Sequence, residues 1–400
     1  MRICILSQGR LEFAGGVESY IKSLSSYLSS YQHDVVLISR GLIRAKSTSA
    51  DINHANAARI LRVPQPIYMI GLLMSSFLAV FKVLHENRHK RIDVIHAAVD
   101  CGYSGLAGLV SSKITGVPLC CSIHSQRRPL LSHYFFKGLV GWLILNFDSA
   151  IERLVYFKAH EIIALSASLR NYVLSFGVDS KKITVIPVAI QTECFGAVNE
   201  KRHESKTFPS ESRFKIGYVG RLEREKNILT LLQAFEGIVR TRPDMHLLLI
   251  GDGNLKNVLI EYAKTKNISK NVHFLGARQD IADWLQIFDI FVLPSYTEGM
   301  PIALLESMAA GKAIIASNIQ GIREMVRHNE EAILVNPYDV EELRQAILLL
   351  YNNPNLRAKL GRNAKEKAKL YDVAVVYKRI VKVYQELIRC RAKNVMQYRT

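Results

Sequence analysis

The sequence predicts an α/β protein of two doubly wound domains facing each other across a cleft. Three observations predict it. Apolar runs of four to seven residues alternate with helical patterns; a polar stretch at 199–212, NEKRHESKTFPSES, interrupts the alternation; and the alternation restarts beyond it. Near-continuous apolar strands separated by helices indicate a parallel sheet covered on both faces. A chain of 400 residues is long enough for two such domains, each with its own core.

The strands of the first domain are read at RICILS (2–7), DVVLIS (34–39), DVIHAA (93–98), PLCCSIH (118–124), EIIALS (161–166) and ITVIPVAI (183–190). RICILS reads as a first strand and not as a signal peptide. Those of the second are FKIGYVG (214–220), MHLLLIG (245–251), NVHFLG (271–276), IFVLPS (290–295), AIIAS (313–317) and AILV (332–335). The expected boundaries are 1–192 for the first domain, 193–213 for a linker and 214–372 for the second domain. An amphipathic helix within 373–400 is expected to pack back on the first.

A hydrophobic content of 49% with 22% charged residues marks a folded protein. The net charge of +18 is spread over both halves, so it is not a basic tail. It suits phosphorylated small molecules or an anionic lipid surface. No finger or RNP signature accompanies it, so nucleic acid is not an expected partner. Six cysteines without a C-x-x-C pair argue for a reducing cytoplasm and against a metal site.

Two segments keep two readings each. Residues 67–84, IYMIGLLMSSFLAVFKVL, carry one charge, Lys82, and read as a buried helix or one lying on a membrane face. Residues 127–147 mix Arg127, Arg128 and Lys137 with Tyr134, Phe135, Phe136 and Trp142. They suit a membrane interface or ordinary core helices.

Four constellations sit at strand ends, where ligands bind in doubly wound folds. In TEGMPIALLESMAAG, Glu298 precedes a helix that begins near Pro301, and Glu306 lies within it. Gly311 suits the left-handed position past its end. The first-turn amides around Met300, Ile302 and Ala303 form an anion site, and both carboxylates suit hydroxyl groups beside a phosphate. In GYVGRLEREKN, Arg221 and Lys226 can neutralise a diphosphate, or be plain solvated loop cations. Gly15 and Gly16 allow close approach of phosphate, or simply a tight turn. His124 ends a strand, while His96 reads as a sheet histidine.

Together these residues resemble glycosyltransferase family 4, retaining enzymes of the GT-B fold with two Rossmann-like domains. Glu298-Gly-Met-Pro-Ile-Ala-Leu-Leu-Glu306 is similar to the family's E-x7-E signature, and the likeness runs through GRLEREK, LLLIGDG and VHFLG. The resemblance implies that Arg221 and Lys226 hold the diphosphate of a nucleotide-sugar donor and that Glu306 binds its ribose. It further implies that Glu298 and the backbone of Gly299, Met300, Pro301 and Ile302 meet the transferred sugar. Gly15 and Gly16 would approach phosphate, and His124 would lie beside the sugar. Members are metal-independent, which implies no cofactor. Pro187-Val188-Ala189 departs from the family's Asn-Gly turn, so the hinge or an acceptor contact differs.

The implied function is sugar transfer to a saccharide or lipid-linked saccharide in surface-polysaccharide biosynthesis, peripheral on the cytoplasmic membrane face. Two other readings stay open. A sugar-nucleotide epimerase of the same architecture would act without an acceptor. A silent membrane-associated assembly partner would have no need of Arg221, Lys226 or both glutamates.

Overall fold

The computed structural model describes residues 1–10, 16–40, 59–63, 68–99, 102–124, 139–196 and 214–397. Gly15, most of the aromatic and basic segment 127–147, and the polar stretch 199–212 lie outside the described residues. The chain divides into two units, Met1–Ala189 with Val373–Thr400, and Ile190–Asp372.

The first unit is built on a seven-stranded sheet of order β3-β2-β1-β4-β5-β6-β7, every pair parallel. The strands are β1 (Arg2–Arg10), β2 (Asp34–Arg40), β3 (Arg59–Val63), β4 (Val94–Val99), β5 (Leu119–Ile123), β6 (Glu161–Ala164) and β7 (Ile183–Val185). The sequence reading passes over β3, RILRV. It is a short edge strand bordered by arginines and pairs only with β2, so it lacks a long apolar run. The inner strands β4 and β5 are buried at every position, as a sheet covered on both faces requires.

Helices α1 (Gly16–Ser30), α2 (Tyr68–His89), α3 (Gly102–Thr115), α4 (Leu139–Lys158) and α5 (Ala167–Leu174) connect these strands. The connection from β1 to β2 runs one way along the sheet, and those through α2, α3 and α4 run the other. Right-handed crossovers therefore place α1 on one face and the other three on the opposite face. Helices α2, α3 and α4 pack side by side.

The second unit begins at Ile190, and its first element, the 3-10 turn Thr192–Phe195, straddles the expected boundary between residues 192 and 193. Its six-stranded sheet has the order β10-β9-β8-β11-β12-β13, again parallel throughout. The strands are β8 (Phe214–Val219), β9 (Met245–Ile250), β10 (Val272–Gly276), β11 (Ile290–Leu293), β12 (Ala313–Ser317) and β13 (Ile333–Val335). The helices are α6 (Ile228–Val239), α7 (Lys256–Thr265), α8 (Ile281–Ile287), α9 (Ile302–Ala309), α10 (Gln320–Arg323), α11 (Val340–Asn352) and α12 (Pro354–Ala368).

The last helix, α13 (Val373–Gln397), belongs to the first unit and packs on α1 and β4. Strand order reverses between β1 and β4 in one sheet and between β8 and β11 in the other. At such switch points the loops leaving adjacent strands diverge and open a crevice at the carboxyl ends.

Candidate active site

In the second unit the crevice lies between the loops that follow β8 and β11. The β8 loop turns at Gly220, and the Tyr218 hydroxyl donates to the Arg221 carbonyl at 2.8 Å to hold that turn. Gly251, after β9, has φ +143°, and a Cβ there would lie 1.8 Å from the Gly220 carbonyl oxygen. Only glycine lets these two strand ends approach so closely.

Asn227 fixes the far end of the loop. It is buried in the left-handed conformation, φ 57°, which asparagine tolerates better than most residues. Its Nδ2 donates to the carbonyls of Pro294 (3.0 Å) and Pro337 (2.8 Å), while its Oδ1 accepts from Thr230. One side chain thus joins the loops after β8, β11 and β13.

Lys226 is thereby held beside Glu298. Its Nζ lies 2.7 Å from Glu298 Oε1, with the side chains 17% and 8% exposed, and Ser295 Oγ donates to the same oxygen at 2.7 Å. Arg221 pairs with Glu225 at 2.9 Å and is otherwise largely exposed. Lys226 is thus paired and mostly covered, whereas Arg221 keeps only a surface pair and remains a largely solvated loop cation.

Glu298 lies in the loop, and α9 follows with Pro301 as its N-cap, one position before the expected first turn. The amides of Ile302 and Ala303 meet no acceptor among the described residues. Gly299 and Met300 complete the bend, and Gly311 takes the left-handed position after the helix, φ +68°. Gly321, at the start of α10, supports the bend from below: a Cβ there would come within 2.2 Å of the Glu298 carbonyl oxygen. Sequence reasoning missed Ser295, Asn227 and Gly321. A small polar residue after an apolar strand and an asparagine before a helix were the available signals.

Glu306 has no side-chain partner among the described residues, and burial pushes its carboxyl up to about 7. Its ionised form is costly until a donor of hydrogen bonds arrives. The folded protein then binds more protons than the unfolded chain between about pH 4.5 and 7, so stability falls as pH rises through that window. Thermal melting of the protein alone is expected to show this loss, on the order of 3 kcal/mol, and Glu306→Gln to remove it.

In the first unit, Gly16 opens α1 and is exposed. His124 follows β5 and is half-buried. Its Nε2 lies 3.0 Å from Ser122 Oγ, and the Tyr20 ring of α1 packs edge-on against it at 4.6 Å. Burial, then the neighbouring His96, pushes the His124 imidazole down to about 3, so it is neutral at physiological pH.

Two family models divide the chain between them. "Glycosyltransferase Family 4" matches residues 14–193, and "Glycosyl transferases group 1" matches residues 199–367. The chain belongs to glycosyltransferase family 4. The glycosyltransferase is 29% identical over 327 residues to the Escherichia coli UDP-Gal:alpha-D-GlcNAc-diphosphoundecaprenol alpha-1,3-galactosyltransferase, covering 77% of this chain and 79% of that one. It is 27% identical over 322 residues to the Campylobacter jejuni N,N'-diacetylbacillosaminyl-diphospho-undecaprenol alpha-1,3-N-acetylgalactosaminyltransferase, covering 80% and 82%. Among solved structures, sucrose-phosphate synthase of Thermosynechococcus elongatus superposes with a TM-score of 0.83 at 21% identity, over 97% of this chain and 99% of that one. Anabaena HepE in complex with UDP gives 0.76 at 20%, over 96% and 100%. The glycosyltransferase thus has the GT-B fold.

Proposed function

We propose that this glycosyltransferase moves a sugar, with retention, from a nucleotide-diphosphate sugar to a lipid-linked saccharide during cell-surface polysaccharide assembly. The observation that carries the reading is the Lys226–Glu298 pair in the loop before α9, together with the Ile302 and Ala303 amides and the Glu306 side chain of that helix, which meet no partner among the described residues. Cations, free amides and two carboxylates carried by the loop after β8, the loop after β11 and helix α9 match the chemistry of a sugar joined to a ribose through a diphosphate. Arg221 and Lys226 take the diphosphate, and Glu306 accepts from the ribose hydroxyls. Glu298 accepts from the transferred sugar. As the bond to the diphosphate breaks, negative charge grows on its oxygens and the two cations with the α9 amides stabilise it. Transfer is therefore expected to persist in EDTA.

The acceptor class is supported by the names of the two relatives above, both of which specify undecaprenyl-diphosphate saccharides. Transfer of radiolabelled sugar to a polyprenyl-diphosphate-linked saccharide tests it. Conversion of the nucleotide sugar without any acceptor would favour an epimerase instead.

A lipid-linked acceptor calls for a membrane surface, and the outer face of α2, α3 and α4 has the composition of one. Met74, Phe77 (69% exposed) and Phe81 (65%) line α2; Val110 and Ile114 line α3; Phe147, Leu154 and Phe157 line α4. Every acidic residue with a described side chain in these helices, Glu86, Asp148 and Glu152, is buried, whereas Arg88, Lys113, Arg153 and Lys158 are exposed. Apolar side chains ringed by cations match an anionic lipid surface. No helix among the described residues is long and apolar enough to cross a membrane. The protein is expected to bind anionic vesicles, to be released by high salt, and to lose most of its binding as Phe77→Ser/Phe81→Ser. Equal binding by that variant would exclude this face.

A further inference from the structure

His124 is the end of a chain of four polar side chains that crosses the first unit. From His124 Nε2 it passes to Ser122 Oγ on β5 (3.0 Å), then to His96 Nε2 on β4 (2.9 Å), and from His96 Nδ1 to the Tyr384 hydroxyl on α13 (2.6 Å). Ser122 and His96 are fully buried, as is Tyr384. The four groups come from two adjacent strands and a helix more than 250 residues further along the chain.

We propose that this chain fixes the tautomer of His124, so that its Nδ1 carries a proton and donates a hydrogen bond to substrate, with Ser122, His96 and Tyr384 as positioning residues. The direction follows from proton counting. Among the described residues, His96 is the one hydrogen-bond partner of Tyr384. A buried hydroxyl proton left without an acceptor is costly, so Tyr384 donates to His96 Nδ1. A neutral imidazole holds one proton, which then sits on His96 Nε2 and is donated to Ser122 Oγ. The Tyr20 hydroxyl also meets Ser122 and is a buried donor with no other acceptor among the described residues, so it donates to Ser122 Oγ, and the one proton of Ser122 goes to His124 Nε2. The single proton of neutral His124 is left on Nδ1, which nothing among the described residues engages. The reverse direction would strand the Tyr384 proton in the core. Burial keeps both imidazoles neutral, His96 being pushed down to about 4, so the count holds at physiological pH.

The proposal rests on the reading that His124 faces the transferred sugar, and the test separates the two. In the full-length protein with 15N-labelled histidine, assigned by loss of one signal pair in His124→Gln, the ring nitrogen shifts report which atom carries the proton. The unmutated protein is expected to show a protonated Nδ1 and a bare Nε2 at His124. Ser122→Ala and Tyr384→Phe are each expected to spread the proton over both nitrogens. Ser122→Ala should also lower kcat roughly three- to tenfold, the worth of one neutral hydrogen bond, with little change in donor KM. A His124 proton on Nε2 in the unmutated protein, or one unmoved from Nδ1 in both variants, would overturn the proposal. A tautomer that shifts while kcat stays constant would support the relay and overturn the placement of His124 at the sugar.

Discussion

Replacing Lys226 by alanine is expected to lower kcat/KM for the nucleotide sugar by about ten- to a hundredfold or more. On the proposed assignment the lost group is a charge-assisted donor to a diphosphate, worth about 1.5–3 kcal/mol. The same change is expected to cost stability, because Lys226 also neutralises Glu298. Neither side chain is more than a fifth exposed, so the pair lies between surface and buried ion pairs. Truncating one partner is then expected to cost about 2 kcal/mol. Lys226→Met combined with Glu298→Gln removes both charges, and should recover much of the melting temperature while leaving the enzyme inactive. If the double variant regained activity along with stability, Lys226 would be structural and the diphosphate would be held elsewhere. Arg221→Ala provides the contrast. Its exposed pair with Glu225 contributes little to stability, so its effect should fall on turnover alone.

The second large effect is expected at the two glutamates, and it should divide between kinetic parameters. Glu298→Gln keeps the shape and the Ser295 bond but removes the charge that accepts from the reacting sugar. A contact that strengthens in the transition state is read in kcat, so kcat should fall about ten- to a hundredfold. Glu306→Gln weakens a ground-state ribose contact and should raise the donor KM by a similar factor, with kcat nearly retained. The new linkage should keep the anomeric configuration of the donor, which NMR of the product reads directly. An inverted linkage would remove the retaining mechanism, and full activity in both variants would make the carboxylates bystanders.

Much of this architecture is legible in the sequence because parallel strands buried on both faces must be continuously apolar. The inner strands announce themselves in that way, through runs such as MHLLLI and AIIAS. β3 does not, since an edge strand has one partner and tolerates RILRV. The donor-side loops are legible through Gly-Arg-Leu-x-x-Glu-Lys and the paired glutamates, whose spacing sets a loop residue against a helix residue. What joins them is not legible. An asparagine before a helix hints at a special position but not that Asn227 gathers three loops, and Gly321 is required only because the Glu298 carbonyl happens to pass 2.2 Å from where its Cβ would stand. His96 looked like one more sheet residue, because nothing in DVIHAA announces a tyrosine in the last helix as its partner.

That last partner has a bearing on biosynthesis. Helix α13 follows the whole second unit along the chain, yet it completes the first. Domains commonly fold as they emerge, N-terminal first, but here the first sheet waits for more than 180 intervening residues before Tyr377 and Tyr384 close over Tyr20 and His96. A chain that ends early, even one with an intact donor unit, lacks the residue that finishes the histidine network. On the proposed role of His124, truncation before Tyr384 is expected to lower sugar transfer even where the donor unit folds.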